Sequence, residues 1–382
     1  MTTRPTPSPW QVPDAGFAPQ HLAHLRKAVA ALPGAGSVLA AIAAGSRAAG
    51  LAHARSDLDV ILVFATDAER NACDADRLPH DLRKHDGLAL DLIKITTADL
   101  ERLRDTACAR AEASREIHRP GFMLGSFREW ALLTRVVTGD VMFAEPRVRA
   151  LLECLDRDAL RRDVMTHSAL CLASLVEDVA GTLGSGDLAT ALAASEEGLR
   201  TSVDAALAGC DDLWVGRKFL QRRMARNPFL ARILDEHGHR VFGGFSASFD
   251  ESVVRDTIRW RLALAGHLLG RSLLDAWSGP VDGLPLFNVP ASGPVRNPCY
   301  APVRWAGGFG LMVGVDVVHR LTEDSFHLWN LCDGRGTEDV ISDFAGRTRG
   351  GASGGGAWAR GQIRDWESQG VLRPRAPAPD GV

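Results

Sequence analysis

A tight glycine turn and three carboxylates are the residues of this chain whose types and spacing best suit chemistry. Gly45-Ser46-Arg47 forms the turn, Asp57 and Asp59 lie in the apolar run Ser56 to Phe64, and Asp91 interrupts a second apolar run, Leu88 to Ile95. Strand side chains alternate between faces, so Asp57 and Asp59 are expected to point one way while Leu58 and Val60 point into the core. Two acids held like that repel and raise each other's pKa unless a cation sits between them, and hard Mg2+ with oxygen ligands suits that role. Asp91, among apolar neighbours, must be paired, metal-bound or neutralised. The set predicts metal-assisted phosphate chemistry.

The elements that would position these residues follow from the same pattern. Pro19 to Leu32 carries Leu22, Leu25, Val29 and Leu32 at helical spacing and is stopped by Pro33-Gly34. Ser37 to Ala44, small and apolar, suits a buried strand leading into the turn; Ser56 to Phe64 and Leu88 to Ile95 read as the next two strands. Thr97 to Glu112 and Glu129 to Val137 read as helices, closing a first domain at residues 18–145. Residues 146–280 change to long helices; Asp187 to Gly209 places Leu188, Leu192, Leu199, Val203 and Leu207 on one stripe, which predicts a helical bundle. Gly, Pro and Asn mark residues 281–302 as a linker. Residues 303–375 then read as three strands followed by three helices, a small winged-helix-like domain. The fold class expected is therefore α+β, with a mixed-sheet domain, a helical bundle domain and that C-terminal domain.

In this order and strand context, Gly45-Ser46, Asp57-Leu58-Asp59-Val60 and Leu90-Asp91-Leu92 resemble the signature of the polymerase β-like nucleotidyltransferase superfamily, and within it the antibiotic-type and minimal nucleotidyltransferases. The resemblance implies two Mg2+ ions, about 3.5–4 Å apart, clamping the attacking and leaving oxygens of an in-line transfer from a nucleoside triphosphate. It assigns Asp57 and Asp59 to both ions and Asp91 to the ion that activates the acceptor, with Asp91 a candidate to take the acceptor's proton. The Gly45 backbone and Ser46 hydroxyl would hold phosphates, since glycine lets the main chain approach an anion closely. Arg47 is a candidate phosphate contact, beside the alternative of a solvated turn arginine. The stretch Trp214 to Arg223 is similar to the helical domain of antibiotic-type enzymes and makes Lys218 a candidate nucleotide contact, beside the alternative of an exposed basic helix face. Glu196 and Glu197 are candidates to orient an acceptor.

Val317 to Gly334, with its Cys332-Asp333-Gly334 turn, followed by Thr337 to Ile341 and Ile363 to Leu372, looks like the PqqD-like family. That resemblance implies recognition of the leader of a ribosomally made precursor peptide, which would add a strand along the third strand of the domain. Val315, Val317, Val318, His319, Arg320 and Leu321 would form that edge, with Ile363 and Trp366 lining the groove; the alternative for the last two is ordinary core. A winged-helix DNA reader is weakened by Asp365 and Glu367 on the third helix.

Composition bounds the rest. With 382 residues, 46% hydrophobic and 24% charged, the chain is expected to fold as two or three globular domains. No apolar run reaches the ~18 residues of a membrane span, and the Pro- and Thr-rich start is no secretory signal, so no membrane partner is expected. A net charge of −3 gives no reason to expect nucleic acid as a partner. Seven cysteines without metal-knuckle spacing fit a reducing, cytoplasmic setting. His167 is expected to be an ordinary helix residue, and no Walker or Gly-x-Ser-x-Gly motif stands in a suitable context. The expected function is transfer of a nucleoside monophosphate, AMP from ATP, to a precursor peptide held by its leader. The alternatives are transfer to a small hydroxyl or amino compound and a non-catalytic peptide-binding scaffold.

Overall fold

The computed structural model describes residues 19–32, 34–53, 55–73, 80–85, 88–113, 127–214, 216, 218–243, 250–284, 293–347 and 355–373. Residues 285–292 of the expected linker and 350–354 of the Gly-rich stretch before the last helix lie outside them. The chain divides into two compact units. The first draws on described residues within Met1–Ala113, Ile117–Leu160 and Leu213–Arg223, the second on those within Arg161–Asp212 and Met224–Val382.

The first unit contains α1 (Pro19–Ala30), β1 (Val38–Ala44), α2 (Gly45–Ala48), β2 (Leu58–Phe64), α3 (Asp67–Ala72), β3 (His80–His85), β4 (Leu88–Thr96), α4 (Thr97–Ala113), α5 (Phe127–Thr138), β5 (Asp140–Ala144) and α6 (Pro146–Glu153). Its mixed sheet has the order β3-β4-β2-β1-β5, with β2 parallel to β4 and antiparallel to β1. Leu58, Val60, Leu62 and Phe64 of β2 and Leu90 and Leu92 of β4 form one core with Leu25, Ala28 and Val29 of α1. Each large side chain buried there contributes roughly 1.5–3 kcal/mol. Strand alternation then puts Asp59 and Asp91 on the opposite face of the sheet from α1. The strand expected from Ser56 begins two positions later, so Asp57 stands just ahead of it rather than within it. β3 and β5 end the sheet order among the described residues, and the sequence pattern does not announce them, because His80 to His85 is mostly polar and Asp140 to Ala144 is a run of five residues.

The second unit holds most of α7 (Arg157–Ser185), α8 (Leu188–Gly209), the end of α9 (Leu220–Arg226), α10 (Pro228–Phe242) and α11 (Glu251–Asp275). It continues with β6 (Val295–Arg296), β7 (Ala301–Trp305), β8 (Gly308–Val313), β9 (Asp316–Leu321), α12 (Glu323–Leu331), α13 (Thr337–Arg347), α14 (Gly355–Ser368) and β10 (Leu372–Arg373). α8 and α11 pack along each other, with Leu199, Val203 and Leu207 of the expected stripe buried. The three-stranded sheet has the order β7-β8-β9, and β7 also packs against α11. Gly314, at φ +57°, opens the two-residue turn between β8 and β9, where a left-handed first position suits glycine.

β7 to β9 followed by α12 to α14 keep the order of three strands and three helices read for residues 303–375. The linker is the exception: its last residues form β6, which pairs with β10 and reaches the Cys332-Asp333-Gly334 turn through Arg296 N–H donating to the Cys332 carbonyl. Arg296 is buried, faces the Trp329 ring at 5.4 Å and lies 3.1 Å from His267 Nδ1, so α11 and the C-terminal strands share one interior. No helix among the described residues is long and apolar enough to cross a membrane.

Candidate active site

The parallel register of β2 and β4 sets Asp59 opposite Asp91. β1 runs antiparallel to β2, so its last residue, Ala44, pairs with Asp59 and delivers Gly45 beside that carboxylate. Gly45 has φ +73°, and a Cβ there would come within 1.8 Å of Asp59 Oδ2. Glycine is therefore required twice, by backbone conformation and by space. Ser46 is buried immediately after it.

Arg47 is 5% exposed, and its Nε and Nη2 donate to the Ser56 carbonyl at 3.0 and 2.6 Å. It is not a solvated turn arginine. Its guanidinium binds the turn to the residue before Asp57, so its contacts suit positioning rather than the phosphate role read from the sequence. The connecting loop is further held by Arg222, which donates to the carbonyls of Leu51 and Ala52 at 2.7 and 3.2 Å. Lys218, in the same stretch, is exposed and lies 5.2 Å from the Phe219 ring centroid.

Asp59 is almost fully buried, whereas Asp57 and Asp91 are half-buried. Burial pushes the Asp59 carboxyl up to about 6; Arg135 opposes the shift, while the charges of Asp57 and Asp91 add to it. The Arg135 ion pair, Nη2 to Asp59 Oδ1 at 3.6 Å, joins a residue that sequence reasoning missed to the site. Arg135 lies on α5, which packs on β1; a Cβ at Gly139 would stand 2.6 Å from Ile42 Cγ2, so that glycine admits the close approach. The available signal was one arginine near the end of an amphipathic helix, indistinguishable in sequence from a surface charge.

Other expected site residues are placed differently. Ile363 and Trp366 are 2% and 3% exposed and belong to one core with Leu311, Leu328, Val340 and Phe344. They do not line an open groove: the inward stripe of α14 is consumed by the domain's own packing. In contrast, β9 pairs with β8 alone among the strands of the described residues, and Val315 and Val318 are 86% and 46% exposed. Val317, His319 and Leu321 are half-buried, and Arg320 is exposed. Glu196, considered as an acceptor-orienting group, pairs with Arg200 at 2.5 Å and with buried Arg261 at 3.7 Å. His167 packs against Cys171 one turn along α7.

Among the described residues, no group of three or more histidines, cysteines, aspartates or glutamates converges as a ready metal cluster. The donor set still suits a hard divalent cation, being all carboxylate, with Asp59 held in an environment that disfavours its unpaired charge.

Comparison with known proteins agrees with this geometry. The chain is similar to a nucleotidyltransferase-like protein from Exiguobacterium sibiricum at 10% identity, over 67% of this chain and 77% of that one, with a TM-score of 0.34, a likeness too distant to carry an argument. No curated protein matches. Residues 22–118, which contain the glycine turn and all three carboxylates, match the family model of the nucleotidyltransferase domain. The first unit thus carries a nucleotidyltransferase domain, and the enzyme is a transferase of that kind.

Proposed function

We propose that the protein transfers a nucleoside monophosphate, AMP from ATP, to a ribosomally made precursor peptide bound through its leader, with Mg2+ as cofactor. The observation that carries the transfer is the Asp59–Asp91 register beside Gly45, within the residues that match the nucleotidyltransferase domain. Asp57 and Asp59 would hold the cations, and Asp91 would complete the set. When bound, such cations supply Lewis-acid stabilisation of charge on the attacking and leaving oxygens.

This chain's own groups supply the remainder. Gly45 and Ser46 present the main chain and a hydroxyl to the phosphates, Arg47 fixes Ser56 ahead of Asp57, and Lys218 adds a positive charge on a stretch that Arg222 ties to the loop between them. The acceptor oxygen or nitrogen bonds to the α-phosphorus, the bond to pyrophosphate breaks, and Asp91 takes the acceptor's proton. The position of β9 at the end of its sheet among the described residues and the exposed Val318 support a peptide acceptor, since they suit an added strand. A leader bound there raises the local concentration of the attached core peptide.

Intact-mass measurement of a precursor peptide after incubation with nucleoside triphosphates and Mg2+ tests the reading. The expected product carries one added nucleoside monophosphate. An unmodified peptide together with a modified small hydroxyl or amino compound would overturn the peptide acceptor and leave the transferase chemistry in place.

A further inference from the structure

Arg135 is the cation that the structure adds to the carboxylate site. It lies in the last turn of α5, where the helix dipole favours positive charge, and among the described residues the charged groups that act on Asp59 are Arg135, Asp57 and Asp91. Two features separate it from Arg47. Arg47 is buried and makes short bonds to a carbonyl, which fix it in place. Arg135 keeps 35% of its side chain exposed and meets Asp59, whose side chain is 10% exposed, at 3.6 Å. That contact is longer than a locked charge-assisted hydrogen bond. The arginine has solvent to move into, whereas the aspartate does not.

The geometry points to Arg135 as a displaceable counter-ion, which pairs with Asp59 while the carboxylates hold no divalent cation and, once released, pairs with the triphosphate of the nucleotide. This rests on the proposed role of Asp57, Asp59 and Asp91 as cation ligands. A guanidinium occupying Asp59 competes directly with a cation for that oxygen. Freed, it meets a polyanion with several oxygens suited to its planar fork, a stronger partner than one carboxylate.

The two halves predict opposite signs for one substitution, which a merely structural ion pair would not. Mn2+ binding to the full-length protein without nucleotide is followed by electron paramagnetic resonance. Binding of an ATP analogue with a methylene between its α- and β-phosphorus is measured by calorimetry with Mg2+. Arg135→Gln is expected to bind Mn2+ roughly five- to tenfold tighter, as loss of one nearby positive charge requires. It is expected to bind the analogue about tenfold more weakly, as loss of one charged phosphate contact requires. Arg135→Lys, which keeps the charge, should stay near wild type for Mn2+. Arg135→Met serves as a second neutral variant should the glutamine form not fold.

Unchanged or weaker Mn2+ binding in the neutral variants overturns the counter-ion role, and unchanged analogue binding overturns the triphosphate contact. Wild type and Asp59→Asn binding Mn2+ equally well would show instead that Asp59 is no cation ligand, which removes the basis of the proposal.

Discussion

Strand β2 is central, paired on both sides and buried at every position, whereas β9 ends its sheet and alternates exposed with half-buried residues. Both are short, but β2 is apolar apart from Asp59, while half of β9 is polar: Asp316, His319 and Arg320. β2 places an acid where water is scarce, with its register fixed by β1 and β4, and the cost of that charge is one that the proposed cation would offset. β9 ends its sheet among the described residues, an arrangement that suits reversible recognition and needs no buried charge. In the proposed function, rigidity serves chemistry in the first unit, and the β9 edge would serve binding in the second.

The contrast can be broken first at Asp59. Its folded-state value, about 6, lies above the ordinary 3.8, so the folded protein binds that proton more tightly than the unfolded chain. The stability this confers is present below about pH 4 and is lost as pH rises through about 6, a difference of about 3 kcal/mol. Asp59→Asn should remove this component. Urea unfolding of both proteins in the presence of a chelator, from about pH 4 to pH 7, should show the variant gaining relative stability as pH rises. Parallel profiles would contradict the buried-charge account.

Gly45→Ala tests the next largest effect. The added methyl must enter space held by Asp59 Oδ2, on a backbone that L-residues rarely adopt, so a loss of about 2 kcal/mol or more is expected together with loss of transfer. The same change at Gly181, where a Cβ meets nothing, should be nearly silent. A smaller effect is expected on β9. Val318→Glu should shift stability by no more than about 0.5 kcal/mol, as at an exposed site. It should weaken leader binding by about tenfold in a fluorescence titration, since a carboxylate replaces an apolar contact. Unaltered binding would move the peptide site off this edge.

Much of this was legible in the sequence, for reasons tied to particular residues. Long apolar runs announced β2 and β4, and the turn ahead of them announced Gly45. The pairing of Asp59 with Asp91 was not legible, because register between parallel strands depends on the connection between them. β3 escaped notice because an edge strand need not be apolar. Arg135 escaped because a lone helix arginine has no pattern, and Arg47 because exposure cannot be read from a turn motif. Ile363 and Trp366 carry the helical spacing of a core face, and core is where they lie.

Whether the site moves a nucleoside monophosphate is decided by supplying nucleoside triphosphate labelled at either the α- or the γ-phosphorus, with Mg2+, to wild type and to Asp57→Asn. The acceptor is expected to retain label from the α position only, the γ label to leave as pyrophosphate, and the variant to transfer neither. Label passing to the acceptor from the γ position, or undiminished α transfer by Asp57→Asn, would contradict that expectation.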